Sequence, residues 1–174
     1  MVHGGVKVNR RHISGGAIIL LLASVSLAQT QQKESLRGLS GIYVYIHPVG
    51  KDVEAGGLST TQIQKAAQAQ LRDAGITLQD EPQPPDGSAN LVVTIDTVKT
   101  QGVYIYEVEV ALLQEVHLAR RQVPDPFPAQ TWGIKVIGLT SANRMDQILE
   151  PLKSTLAGFI ADYSAVNTKP HPPA

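Results

Sequence analysis

Two stretches of regular alternation, residues 90–100 and 103–118, lie on either side of Gln101 and Gly102 and constrain this chain more than any other feature. Side chains along a strand point to opposite faces with a period of two, so the apolar residues fix which face of each stretch is buried. In the first stretch Leu91, Val93, Ile95 and Thr97 share a face; in the second Tyr106, Val108, Val110 and Leu112 do. A two-residue turn at Gln101-Gly102 suits a tight hairpin and pairs Thr100 with Val103. Counting back from that pair sets Thr97 opposite Tyr106, Ile95 opposite Val108, Val93 opposite Val110 and Leu91 opposite Leu112. The two apolar faces then coincide, whereas a slip of one residue would turn each apolar side chain to the wrong side. A slip of two residues also keeps the faces matched, so the choice between these registers rests on the turn.

The other elements are read around this hairpin. Gly41 to His47 alternates between Ile42, Val44 and Ile46 on one side and Tyr43, Tyr45 and His47 on the other, and Pro48 ends it as a strand. Gly50 to Gly57 reads as a loop. Ser59 and Gln62 have capping-box spacing, Leu58 is placed to staple onto Ile63, and Ile63, Ala67, Leu71 and Ala74 form a narrow apolar stripe. Gly75 then sits where a left-handed C′ residue belongs, with Ile76 as its hydrophobic neighbour. Ile76 to Gln79 is a short strand, so strand, helix and strand predict a parallel crossover. The proline-rich stretches Glu81–Ser88 and Val123–Pro128 read as loops. Thr131 to Ile137 predicts the last strand. A long helix capped by Thr140 or Ser141 follows, carrying Met145, Ile148, Leu152, Leu156, Phe159 and Tyr163 at helical spacing, with Pro151 kinking or splitting it. The expected fold class is therefore α/β, as an α+β sandwich. It has one mixed sheet of about five strands in the order β-α-β-β-β-β-α, with two helices packed on one face.

The first 28 residues carry a different message. Lys7, Arg10 and Arg11 stand in an acid-free start, residues 13–27 are apolar and small, and Ser26-Leu27-Ala28 places small residues at −3 and −1 of a cleavage site. That is the pattern of a cleavable secretory signal, and the apolar run is short against the roughly 20 residues a membrane span needs. The paired arginines also hint at the twin-arginine route, though an ordinary basic start accounts for them. The expected organisation is a signal at 1–28, a flexible lead-in at 29–39, a single domain at 40–166 and a disordered tail at 167–174. Localisation is then periplasmic or secreted. Removing three of the fifteen basic residues leaves twelve against fifteen acids, a net charge of −3. A mildly acidic domain gives no electrostatic reason to bind nucleic acid or an anionic lipid surface. The chain has no cysteine, which excludes disulfides, thiolate metal sites, a cysteine nucleophile and a lipid-acylated anchor.

Chemistry-bearing motifs are weak. Glu107, Glu109, Glu115 and His117 point to one side of the second hairpin strand, and His47 and Asp96 stand on neighbouring strands. A metal site built from His47, Glu115 and His117 is the strongest such constellation. It lacks the ligand spacing of a zinc site, and a solvated strand face of alternating charge explains the same residues. In the preferred register Asp96 faces Glu107, an unfavourable pair unless a cation, Lys99, Lys135 or water neutralises it. There is no H-E-x-x-H, no G-x-S-x-G and no phosphate-cradling glycine loop. Ser59 and Ser141 read as caps, no catalytic residue is assigned, and no cofactor is expected.

The sheet face away from the helices is more informative. It would carry Tyr43, Tyr45, Val98, Ile105 and Ile137 among Asp96, Glu107, Glu109 and Lys135, more apolar than a solvated face normally is. Such a patch marks a surface for a protein partner or a second copy, although high β-propensity alone also places Tyr, Val and Ile in strands. Residues 36–44, the Gly57-Leu58-Ser59 helix start, Thr131-Trp132 and residues 159–167 resemble a family of exported bacterial α/β proteins of uncharacterised role. The two-helices-on-a-sheet layout is similar to small envelope-assembly domains. The resemblance implies an exported α/β fold and carries no site residues over. The function expected is a non-catalytic envelope module that binds a protein or itself. The alternatives are a periplasmic small-ligand or metal-binding protein and a hydrolase with an unrecognised site.

Overall fold

The computed structural model describes residues 29–81, 88–119 and 126–167. The expected signal at 1–28, the loop centres at 82–87 and 120–125, and the tail from 168 lie outside the described residues. The chain divides into Met1–Gln31 and Gln32–Ala174, and the second unit holds the sheet and its helices.

Five strands form one mixed sheet. They are β1 (Gly41–Ile46), β2 (Leu78–Gln79), β3 (Ser88–Thr100), β4 (Val103–Val116) and β5 (Phe127–Thr140), in the spatial order β2-β1-β3-β4-β5. The first strand pairs in parallel with both β2 and β3, and the other two ladders are antiparallel. Besides a helical stretch at residues 29–34, the helices are α1 (Lys51–Ala55), α2 (Thr60–Asp73) and α3 (Leu149–Asn167), with a 3₁₀ helix at Ala142–Ile148 ahead of the last. The α+β architecture is the expected one.

The β3–β4 register matches the count from the turn at each of the expected pairs, from Thr100 with Val103 to Leu91 with Leu112. Gln101 and Gly102 both have positive φ, 44° and 85°. Two such residues make the turn whose twist matches that of the flanking strands, which is why the turn selects this register over the two-residue slip. On the inner face Ile42, Val44, Leu91, Val93, Val108, Val110 and Leu112 are buried in one core with Ile63, Leu71, Leu152, Leu156 and Phe159 from the helices.

Helix α2 is bounded by its own sequence. The Ser59 hydroxyl accepts from the Gln62 backbone N–H at 3.3 Å, and the Gln62 side chain accepts from the Ser59 N–H at 2.8 Å. At the other end Gly75 (φ +76°) lets its N–H reach the Arg72 carbonyl at 2.8 Å and the Ile76 N–H reach the Leu71 carbonyl at 3.1 Å. These are the two bonds of a Schellman termination, and they satisfy carbonyls the helix leaves open.

Several boundaries differ from expectation. Residues 50–57 contain the short helix α1, held by Val53, whose side chain is fully buried. A Cβ on Gly56 would lie 2.7 Å from the Met145 Cβ and 2.9 Å from the Ala142 carbonyl oxygen. Gly56→Ala should therefore cost about 1–3 kcal/mol through overpacking; unchanged urea midpoints would show that the 3₁₀ helix yields freely. Strand β5 starts at Phe127, inside the expected proline loop, and runs on to Thr140. A bulge between Leu112 and Leu113 re-registers the ladder so that Pro128 pairs with Glu115. A proline is tolerated there because β5 is an edge strand.

The expected cap at Thr140 or Ser141 is absent. Ser141 precedes the 3₁₀ helix without a side-chain cap, its hydroxyl bonding Asn143 instead, and the Thr140 hydroxyl donates to the Arg144 carbonyl. The break expected at Pro151 falls earlier, at non-helical Arg144 and the 3₁₀–α junction. Pro151 is tolerated in the first turn of α3, where a helix has no use for the missing N–H.

The segment read as a flexible lead-in, 29–39, contributes Leu36 to the core with no exposure. Asn167, read as the start of the disordered tail, is the last residue of α3. Its side chain donates to the Leu36 and Tyr163 carbonyls at 2.8 and 3.0 Å and accepts from the Gly38 N–H at 2.8 Å.

Candidate functional site

Both long helices lie over one sheet face, so the other face is composed of the alternate residues of β1, β3, β4 and β5. The registers lay these side chains out in rows across the strands. Tyr45, Val92, Ala111 and Gly133 form one row; Asp96, Glu107 and Ile137 another; Val98, Ile105 and Leu139 a third. In the last two rows Val98 is 64% exposed, Ile137 68% and Leu139 70%, with Ile105 less so, and Val103 beside the turn is exposed as well. These are β-branched or γ-branched aliphatic side chains standing side by side. They form a contiguous apolar surface at the hairpin end of the sheet, of the kind single exposed residues do not make.

Polar groups border it. Asp96 is opposite Glu107, as expected, and Lys135 resolves the conflict. Its Nζ lies 2.8 Å from Glu107 Oε1 and 3.9 Å from Glu109 Oε2. The hydrogen bond to Glu107 is the main cause of a Lys135 pKa above the ordinary 10.5; desolvation opposes it, and the charges of Glu109, Glu107 and Asp96 add to it. A raised lysine pKa gives stability that is fully present below the unfolded value and lost as pH climbs through the folded one. The contribution is thus present throughout the neutral range, and its loss is confined to strongly alkaline solution. Glu107→Gln should bring the Lys135 titration, followed by NMR of its side-chain nitrogen, back down toward 10.5; an unmoved titration would deny the bond.

Of the interaction candidates read from the sequence, Tyr45, Val98, Ile105 and Ile137 are exposed on this face, whereas Tyr43 is half-buried beside Asn90 and Gln79. Leu139 joins them. The expected strand stops at Ile137, although the alternation Lys135, Ile137, Leu139 continues beyond it.

The metal candidates are not brought together. His47 follows β1, with its backbone N–H on the Val93 carbonyl at 2.9 Å and its ring edge-on to Tyr45 at 5.2 Å. That places it beside Thr94, which pairs with Glu109. Glu115 is six residues further along β4, about 20 Å at roughly 3.3 Å per residue, and His117 lies beyond the strand end. Among the described residues no three His, Asp or Glu side chains form a metal-holding group.

The class of molecule is thus an α+β sandwich with one sheet face under helices and the other, among the described residues, bare and partly apolar. No family model matches the chain, and no curated protein matches it. Among solved structures, a minor lipoprotein from Acinetobacter baumannii is similar at 9% identity, over 74% of this chain and 90% of that one, with a TM-score of 0.32. The resemblance carried by residues 36–44 and 159–167 has no family model behind it. No helix among the described residues is long and apolar enough to cross a membrane.

Proposed function

We propose that this protein is a non-catalytic module of the bacterial envelope, exported by its basic and apolar amino-terminal segment, that binds a protein through the bare face of its sheet. The observation that carries the reading is the contiguous exposure of Val98, Ile105, Ile137 and Leu139 on a face that, among the described residues, no helix covers. Leaving such residues in water forgoes burial free energy of about 25 cal/mol per Å² of apolar area, which a partner recovers. The acidic groups and Lys135 at the border keep the free protein soluble and orient the approach.

Site-specific photocrosslinking in the native host tests this. A probe at Ile105 should give a discrete adduct, and a probe at exposed Lys65 on α2 should give none. Equal labelling at both positions, or none at Ile105 in folded exported protein, would remove this face as an interaction surface.

A further inference from the structure

The apolar rows end at β5, and the free edge of that strand has a definite hydrogen-bonding polarity. In an antiparallel ladder opposed residues alternate between exchanging both backbone bonds and exchanging none. The positive-φ pair Gln101-Gly102 closes a two-residue hairpin, so Thr100 and Val103 exchange both bonds. The odd-numbered residues of β4 from 103 to 111 therefore bond to β3, and the even-numbered ones bond to β5 at Gly138, Val136 and Ile134. It follows that Lys135, Ile137 and Leu139 turn their N–H and C=O groups outward. Among the described residues no backbone bond from outside the β4 ladder reaches them.

Edge strands are normally blunted by shortness, proline, bulges or charge. The opposite edge, β2, is two residues long. The first half of β5 has Pro128, the bulge, and the Ser35 hydroxyl on the Thr131 carbonyl at 3.3 Å. The second half, Gly133 to Thr140, has only Lys135, and its ammonium group is drawn back across the sheet to Glu107 and Glu109. An open edge thus coincides with Ile137 and Leu139, the two most exposed apolar side chains.

We propose that the occupant of this edge is a second copy of the chain, with β5 pairing antiparallel to its own counterpart about a two-fold axis at Ile137. This rests on the reading of the bare sheet face as an interaction surface and names its partner. Ile137 then opposes Ile137 of the other copy, and Lys135 opposes Leu139, with the lysine stem lying along the leucine. Each of these pairs presents outward backbone groups on both sides, so each exchanges both bonds. No like charges meet across the seam, whereas an axis at Lys135 would set two ammonium groups face to face. The result is a continuous sheet running through both copies and closed by two-fold symmetry, with the same patch used twice.

The chain lacks cysteine, so a single introduced thiol reports on this axis alone. In a bonded antiparallel pair the Cα atoms are about 5.5 Å apart, within disulfide reach. Ile137→Cys should oxidise to a covalent dimer several-fold faster than Val98→Cys, which is equally exposed on the same face but two strands in from the edge. Sedimentation velocity should show a concentration-dependent dimer for the wild-type chain and for Val98→Lys, and a folded monomer for Leu139→Lys. A wild-type monomer at every concentration, or equal oxidation of the two cysteine variants, would overturn self-pairing. A crosslink from Ile105 to a different protein in that case would leave the interaction surface standing with another occupant.

Discussion

Trp132→Ala should lower the stability of the fold by about 3–5 kcal/mol, the cost of emptying a large aromatic site in a packed core. Trp132 is 1% exposed and meets Phe159 edge to face with ring centroids 4.9 Å apart. Its indole N–H also donates to Asp162 Oδ2 at 3.1 Å, and the other carboxylate oxygen of Asp162 takes Lys33 Nζ at 2.8 Å. One side chain thus links β5, α3 and the segment ahead of β1. Removing it leaves a cavity and withdraws a hydrogen bond from a carboxylate that stays partly exposed, so the cavity dominates the cost. Trp132→Phe should retain the aromatic contact and cost clearly less. Urea unfolding followed by circular dichroism would measure both, and a loss below about 1 kcal/mol for the alanine variant would contradict this packing.

The second large effect is expected at Leu36, in a segment whose polar sequence suggested a linker. Leu36→Ala should cost about 2–5 kcal/mol, because the side chain is fully buried. The backbone around it is tied to the end of α3 from both sides: Asn167 bonds the Leu36 carbonyl and the Gly38 N–H, and Arg37 donates to the Val166 carbonyl at 3.2 Å. Asn167→Ala should cost about 1–3 kcal/mol through the groups it leaves unpaired. Because the two side chains secure one clasp, the double variant should lose less than the sum of the singles. A change at Leu36 within about 0.5 kcal/mol of wild type would show that the clasp contributes nothing to folding.

The parts of the fold that were legible are those whose physics is local. Alternation with a two-residue turn set the register of the β3–β4 ladder, and Ser59, Gln62 and Gly75 marked both ends of α2 through bonds made within a few residues. Where expectation failed, the deciding partner was remote in sequence. Phe127 and Pro128 joined a strand because a bulge opposite Leu112 re-registered the ladder. Leu36 and Asn167 became structural through each other across 131 residues. His47 and Glu115, which alternation put on one face, are separated by about 20 Å along the strand direction, since His47 stands level with Glu109.

By itself, then, the sequence determined where the main strands and the two long helices lie, which face of each strand is apolar, and the register of the central hairpin, since propensity, periodicity and turn chemistry act over short stretches of chain. Only the tertiary structure decided that Leu36 and Asn167 close on each other, that Lys135 neutralises the acidic pair, and that Ile137 and Leu139 remain exposed at the edge of the sheet. Coverage depends on where distant elements pack, and no local pattern in a strand records whether a helix will come to lie over it.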